Sequence, residues 1–274
     1  MAKPVRMAIV RPYAARAINS AKPKSRVQSA TRALRALEFL NSYSGATLAQ
    51  TAEALELSRG TAYRILETMC DEGYVERDAV TGGYTLGARV RSLSDGYADE
   101  QWLRDFALER LYRLGEAVQW PLKLSTLQGF EMVVRASTDL RSPFAHLRTY
   151  AGHRVPLLRS AVGLVYLSKC SAPQRQLLIE MVRRSSPVPE DVAAANDRAL
   201  DRRLNRVAQD GHAFIGDDHL SMVAVPVSTR RGIFACIAMQ FYSRAISRKA
   251  VIASHVPGLH QAAADIGAFL DCAE

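Results

Sequence analysis

The sequence is short of cysteine, tryptophan and long apolar runs. Its four cysteines, Cys70, Cys170, Cys236 and Cys272, lie far apart with no Cys-x-x-Cys pair. The reading is reduced thiols in a cytoplasmic protein. No apolar run approaches the roughly 18 residues that a membrane helix needs, and the best one, Ile233 to Met239, reads as a buried strand. Signatures of catalysis are missing too. His146, His153, His212, His219, His255 and His260 form no His-Glu-x-x-His, and there is neither Gly-x-Ser-x-Gly nor a phosphate-binding Gly-Lys-Ser/Thr loop. The expectation is therefore not an enzyme, with no cofactor. "DDH" at Asp217 to His219, with His212 upstream, has ligand-type residues, but a solvated turn explains it better and no metal is assigned.

Acidic residues are absent from the first 26 positions, which hold Lys3, Arg6, Arg11, Arg16, Lys22, Lys24 and Arg26. The formal charge of +9 is largely this tail, because the rest carries 29 basic against 27 acidic groups. Pro4, Pro12 and Pro23 interrupt it, and its composition predicts disorder. It reads either as an arm on phosphates or as a solvated extension from an early start codon before Met7; a transit peptide is disfavoured by the lack of an amphipathic face.

What is present is a sequence of helix and strand signals. From Val27, Ala30, Ala33, Leu34, Leu37 and Leu40 recur at helical steps up to Gly45. Thr47-Leu-Ala-Gln50 fits a capping box opening a second helix, and Ser58 is a good N-cap for a third after a very short break. In the third helix Ala62, Ile65, Leu66 and Met69 form the core stripe, and Gly73 stops it. Strand candidates follow at Tyr74 to Arg77 and Tyr84 to Leu86 around Gly82-Gly83. This order predicts a winged helix-turn-helix over residues 27–88, with small Ala52 at the helix crossing. Residues 89–98 read as a linker helix.

Residues 99–274 predict a second domain: a helix from about Glu100, two strands around Gln128-Gly129, and helices over Ser160 to Cys170, Pro173 to Arg184 and Asp197 to Asp210. A hairpin pattern follows around Thr229 to Gly232, and a final helix covers Pro257 to Leu270. The fold class is α+β.

The stretch "LSRGTAYRILETMC" gathers Arg59, Gly60, Thr61, Tyr63 and Arg64 at the start and outer side of the third helix. In this motif those positions enter the major groove of DNA, where an arginine fork meets guanine O6 and N7 together; one arginine can instead hold a phosphate. Against this, residues 27–88 carry five basic and eight acidic groups. The acids Glu67, Asp71 and Glu72 fall later in the helix, and the tail with Arg89 or Arg91 is expected to supply part of the nonspecific attraction.

At these residues "RALRALEFL", "TLAQTAEALELSRGTAYRILETMCDEGYVERD" and "GGYTLG" resemble the IclR family of bacterial transcriptional regulators. "AGHRVPLLRSAVGLVYLS" and "SMVAVPVSTRRGIFACIAM" extend the resemblance over nearly everything from Val27 onward. The family usually has a small or polar side chain where Gly60 stands. The resemblance implies binding to promoter or operator DNA, and a C-terminal GAF-like effector domain with an antiparallel sheet flanked by helices. It also implies a homodimer or homotetramer, paired through the first helix and linker.

Within the family, "DEQW", "WP" at Trp120-Pro121 and "GHRVPLL" look most like activators of 3-hydroxyphenylpropionate catabolism. That implies an activator of aromatic-acid catabolic genes, in contact with RNA polymerase, with an aromatic carboxylate as effector. The alternative is a repressor responding to a small oxo acid or other carboxylate. Effector contacts carried over by resemblance fall on Ala161 and Val162, on Ser221, and on Ala238 and Gln240, where several relatives have serines. Ser160 reads as a helix cap or a ligand contact, and the start of its helix suits a carboxylate. Trp120, with Leu124, Phe144 and Tyr150, reads as pocket wall or plain core. Arg135 and Arg154 read as carboxylate partners or structural ion pairs.

Overall fold

Ala36, Phe39 and Leu40 turn one side of the first helix, α1 (Gln28–Ser42), into the core of a small helical unit. The computed structural model describes residues 27–94, 102–145 and 149–272. The basic segment 1–26 and Asp99 to Gln101 of "DEQW" lie outside them. The chain divides into two compact units, residues 1–97 and 98–274.

In the first unit α2 (Leu48–Ala54) opens with the expected capping box: Thr47 accepts from Gln50 N–H while the Gln50 side chain accepts from Thr47 N–H. Ala52 of this helix is buried, and α3 (Arg59–Asp71) follows after a short break. The break between these helices holds Glu56 in the left-handed region at φ 54°. Gly73, at φ 73°, ends α3, and β1 (Val75–Arg77) pairs antiparallel with β2 (Tyr84–Leu86). A Cβ on Gly83 would stand 2.5 Å from the Gly45 carbonyl oxygen, so only glycine lets the hairpin close on the loop after α1. Asp78 bonds the N–H groups of Val80 and Thr81 at 2.8 and 2.7 Å, and those bonds hold its carboxyl below the ordinary range. Of the expected linker helix at 89–98, the described part lies in a 3₁₀ segment, Ala88–Ser94, and residues 95–98 fall outside the described residues.

The second unit begins with a π-helical turn, Leu103–Ala107, running into α4 (Leu108–Val118). Its centre is a six-stranded antiparallel sheet in the order β5-β4-β3-β8-β7-β6. The strands are β3 (Leu122–Gln128), β4 (Glu131–Ser137), β5 (Arg154–Pro156), β6 (Ala213–Gly216), β7 (Leu220–Thr229) and β8 (Gly232–Tyr242). The helices are α5 (Ala161–Lys169), α6 (Ala172–Ser185), α7 (Pro189–Ala195), α8 (Leu200–Asp210), α9 (Arg248–Ser254) and α10 (Val256–Cys272).

Each face of the sheet is covered. Ile237, Met239 and Phe241 of β8 join Leu111 of α4 and Leu259 and Ile266 of α10 in one core. Cys236 and Ala238, pointing the other way, join α5, Leu178 of α6 and Leu204 of α8 in a second. A strand buried on both faces loses the apolar–polar alternation, which is why β8 reads as a continuous apolar run. The short elements β5, β6, α7 and α9 were not expected from the sequence, being too brief for a periodic signal. Among the described residues no helix is long and apolar enough to cross a membrane.

Nearly all of α5 is buried, and its seat is tight. A Cβ on Gly163 would overlap the carbonyl oxygen of Leu157 in the segment leading to the helix. Gly163→Ala is expected to lower unfolding free energy by about 3 kcal/mol or more, since backbone rather than a flexible side chain must shift. Denaturant unfolding of the full chain checks this, and a wild-type midpoint would refute the close approach.

Candidate functional site

Two sets of residues stand out, one on each unit. On the first, Ser58 caps α3 by accepting from Thr61 N–H at 3.3 Å, and its hydroxyl lies 2.9 Å from that of Thr61. This fixes the first turn of the helix. Arg59, Gly60, Tyr63 and Arg64 are all exposed there, Tyr63 by 44% despite its ring, whereas Ala62 and Leu66 between them are buried. Thr61 is half-buried. Nothing lies within 4 Å of a Cβ built on Gly60, so packing does not demand the glycine.

The acidic excess of this unit is partly taken up internally. The Tyr84 hydroxyl donates to Glu67 at 3.2 Å. Arg89 bonds the Glu72 carboxylate at 3.3 Å and its carbonyl oxygen at 2.6 Å, while stacking on the Tyr74 ring 4.8 Å away. Arg89 thus braces the end of α3, a structural role in place of the free positive charge expected from the sequence. The exposed start of α3 keeps two guanidinium groups, and no acid lies between them.

On the second unit the expected effector residues divide between the two faces of the sheet. Ala161, Val162 and Ala238 lie together in the α5 core, and the Cys236 thiol donates to Val162 O at 3.3 Å, so the first turn of α5 sits over β8. Gln240 follows Ala238 on the same face by strand alternation. Ser160 donates to Pro156 O at 2.6 Å and accepts from Gly163 N–H at 3.1 Å, the work of a cap. Trp120 and Ser221 are not brought to this face. Trp120 packs in the opposite core, its ring 4.6 Å from Phe144 and 5.9 Å from Tyr242. Ser221 pairs with Phe241 and shares the parity of Val223, Val225 and Val227, which belong to that same core; its hydroxyl is 2.8 Å from Ser243. Leu124 also lies in that opposite core.

Arg154 pairs with Glu131 at 3.1 Å, which makes it a structural ion pair. Asp217 bonds the N–H groups of His219 and Leu220, each at 2.8 Å, so the "DDH" stretch is a hydrogen-bonded turn.

The α5 face also holds a buried polar group that sequence reasoning missed. Lys123 of β3 stands beside Ala238 in the register, and its ammonium donates to Gln240 Oε1 at 2.9 Å. Asp139 Oδ1 lies 3.3 Å from the same nitrogen, and both side chains are almost fully buried. Asp139 Oδ2 accepts from Thr149 N–H at 2.6 Å. Burial pushes the Lys123 ammonium toward its neutral form, and Asp139 opposes that. His153 is driven the same way, first by burial and then by Lys123. One signal for this cluster was available: a lysine at an interior position of the apolar stretch "PLKLSTL".

Residues 29–79 match the IclR helix-turn-helix domain. The probable transcriptional regulator SauR of Cupriavidus necator is 29% identical over 221 residues, 77% of this chain and 85% of its own. A Haemophilus influenzae regulator and the Escherichia coli repressor YiaJ match across only about half their own length. Among solved structures, the Thermotoga maritima IclR aligns with a TM-score of 0.61 at 20% identity, over 90% of this chain and 100% of its own. An IclR homologue from Microbacterium hydrocarbonoxydans, complexed with 4-hydroxybenzoate, gives 0.55 at 21% identity, over 89% and 99%. Residues 29–79 thus carry the helix-turn-helix domain of the IclR regulators, and the chain shares its fold with solved IclR structures.

Proposed function

We propose that the start of α3 reads operator DNA through Arg59 and Arg64, with Gly60, Thr61 and Tyr63 beside them, and that a small carboxylate on the α5 face of the second unit governs its use. The observation that carries the reading is the exposure of both arginines at a capped helix start whose other side is core. A recognition helix meets base edges with its first residues, and each guanidinium there can take a guanine or a phosphate. Gly60 suits this surface because a missing side chain lets backbone approach the duplex.

For the effector, the site we favour runs from Ala161 and Val162 over Ala238 to Gln240. Its floor, Ala224 beside Ala238, lacks hydroxyl groups, which favours an aromatic acid over a small oxo acid. A neighbour of the same fold solved with 4-hydroxybenzoate supports that class. We read the protein as a cytoplasmic activator of aromatic-acid catabolic genes. It works as a homodimer or homotetramer, since half-sites a helical turn apart need two reading heads, and it makes contact with RNA polymerase. The effector acts by binding two arrangements of the protein unequally.

Arg59→Ala and Arg64→Ala are each expected to weaken retention of the DNA upstream of the protein's own gene by roughly 1–3 kcal/mol. If both folded variants retain that fragment like wild type in a gel-shift assay, α3 is not the reader. Gly60→Ala is expected to raise stability by about 0.5–1 kcal/mol while weakening DNA binding; unchanged DNA affinity would show that the glycine has no part in the contact. Addition of 3-phenylpropionate, cinnamate or 4-hydroxybenzoate to the full chain is expected to raise its thermal midpoint, with about 2.7 kcal/mol gained at a hundredfold excess over Kd. A rise with pyruvate or glyoxylate alone would favour the small oxo acid and remove the aromatic class.

A further inference from the structure

We propose that Lys123 is the charge receptor for the effector's carboxylate, and that Asp139 is an internal carboxylate which the arriving acid displaces from it. This rests on the carboxylate-effector reading above and names the group that would enforce it. Along β8 the α5 face presents Cys236 under Val162, then Ala238, then Gln240 bonded to Lys123. At the usual strand rise those ends are about 13 Å apart, and between them the only β7–β8 side chains directly opposed are two alanines, Ala224 and Ala238. This face thus has the buried start of α5 at one end and a buried ammonium at the other, with small side chains of the core between them.

The ammonium is poorly matched to a purely structural role. Burying a charge costs much unless the partner geometry is excellent and the remaining donors are satisfied. Lys123 has three donors, and among the described residues one of them makes a good bond, to Gln240. Asp139 balances the charge at 3.3 Å, yet its Oδ1 makes no hydrogen bond, while Oδ2 is held by Thr149 N–H. A free carboxylate brings two unhindered acceptor oxygens and can take up donors that Asp139, tethered by its backbone and by Thr149, does not reach. Burial and the Lys123 charge both disfavour the protonated form of His153, with Asp139 opposing them. The exchange also has a mechanical route. Thr149 lies ahead of β5 in the stretch that leads to Ser160, the cap of α5, so release of Asp139 acts on the chain that seats the helix.

The test is isothermal titration of the full chain with 4-hydroxybenzoate, 3-phenylpropionate and pyruvate, and with the amide of each acid. Wild type is compared with Lys123→Met and Asp139→Asn. Wild type is expected to bind an acid at least roughly tenfold more tightly than its amide, the size of a lost charge-assisted bond. Lys123→Met is expected to remove most of the difference between acid and amide. Asp139→Asn, which removes the competing carboxylate while an amide oxygen still accepts from Thr149, is expected to tighten the acid several-fold. A merely structural pair predicts no gain there. If Lys123→Met does not fold, the acid–amide ratio and the Asp139→Asn result decide. An acid bound equally by wild type and Lys123→Met, or weakened in a folded Asp139→Asn, overturns the role of Lys123 and leaves the effector reading standing. Failure of wild type to bind any of the acids overturns both.

Discussion

The larger unit depends on one strand that has no free side. β8 pairs with β3 on one edge and β7 on the other, and its side chains alternate between two closed cores. A one-residue slip would send Ile237, Met239 and Phe241 to the α5 face and the small residues to the α10 face. The register is therefore held by volume on both sides, and with it the line Cys236, Ala238, Gln240 that runs beneath α5. The seat of α5 follows from the same constraint. Its first turn can lie this close to the sheet only because Gly163 leaves the Leu157 carbonyl unobstructed and Ala238 is small.

The smaller unit solves a different problem, that of presenting positive charge from an acidic module. Its acids are not distributed at random with respect to α3. Glu67 and Glu72 belong to its later turns, where Tyr84 and Arg89 engage them, while the first turn has arginines and a hydroxyl cap. Surface ion pairs of this kind add little stability. Their effect here is positional: they keep carboxylates bonded to the wing and to the segment after it.

Much of this was legible in the sequence. The capping box at Thr47, the cap at Ser58, the stop at Gly73 and the strands around Gln128-Gly129 were each signalled by local chemistry, because caps and turns are made by neighbouring residues. Elements of three to seven residues such as β5, β6, α7 and α9 carry too few positions for a period to emerge, and tertiary pairing forms them. Trp120 and Ser221 illustrate another limit. Resemblance supplied Ser221 as a candidate and Trp120 read as pocket wall or plain core, but which face of a sheet a residue takes depends on register across strands far apart in the chain.

The sequence alone determined that there is a helix-turn-helix followed by an α+β domain, and which helix start carries the arginines, since these follow from short-range periodicity and capping. Tertiary structure decided which side chains share a face, that Arg89 is a brace, and that Lys123 and Asp139 meet in the interior. Those pairings join residues 16 to 117 positions apart, and no local pattern encodes a contact whose two halves are brought together only by sheet order and core packing.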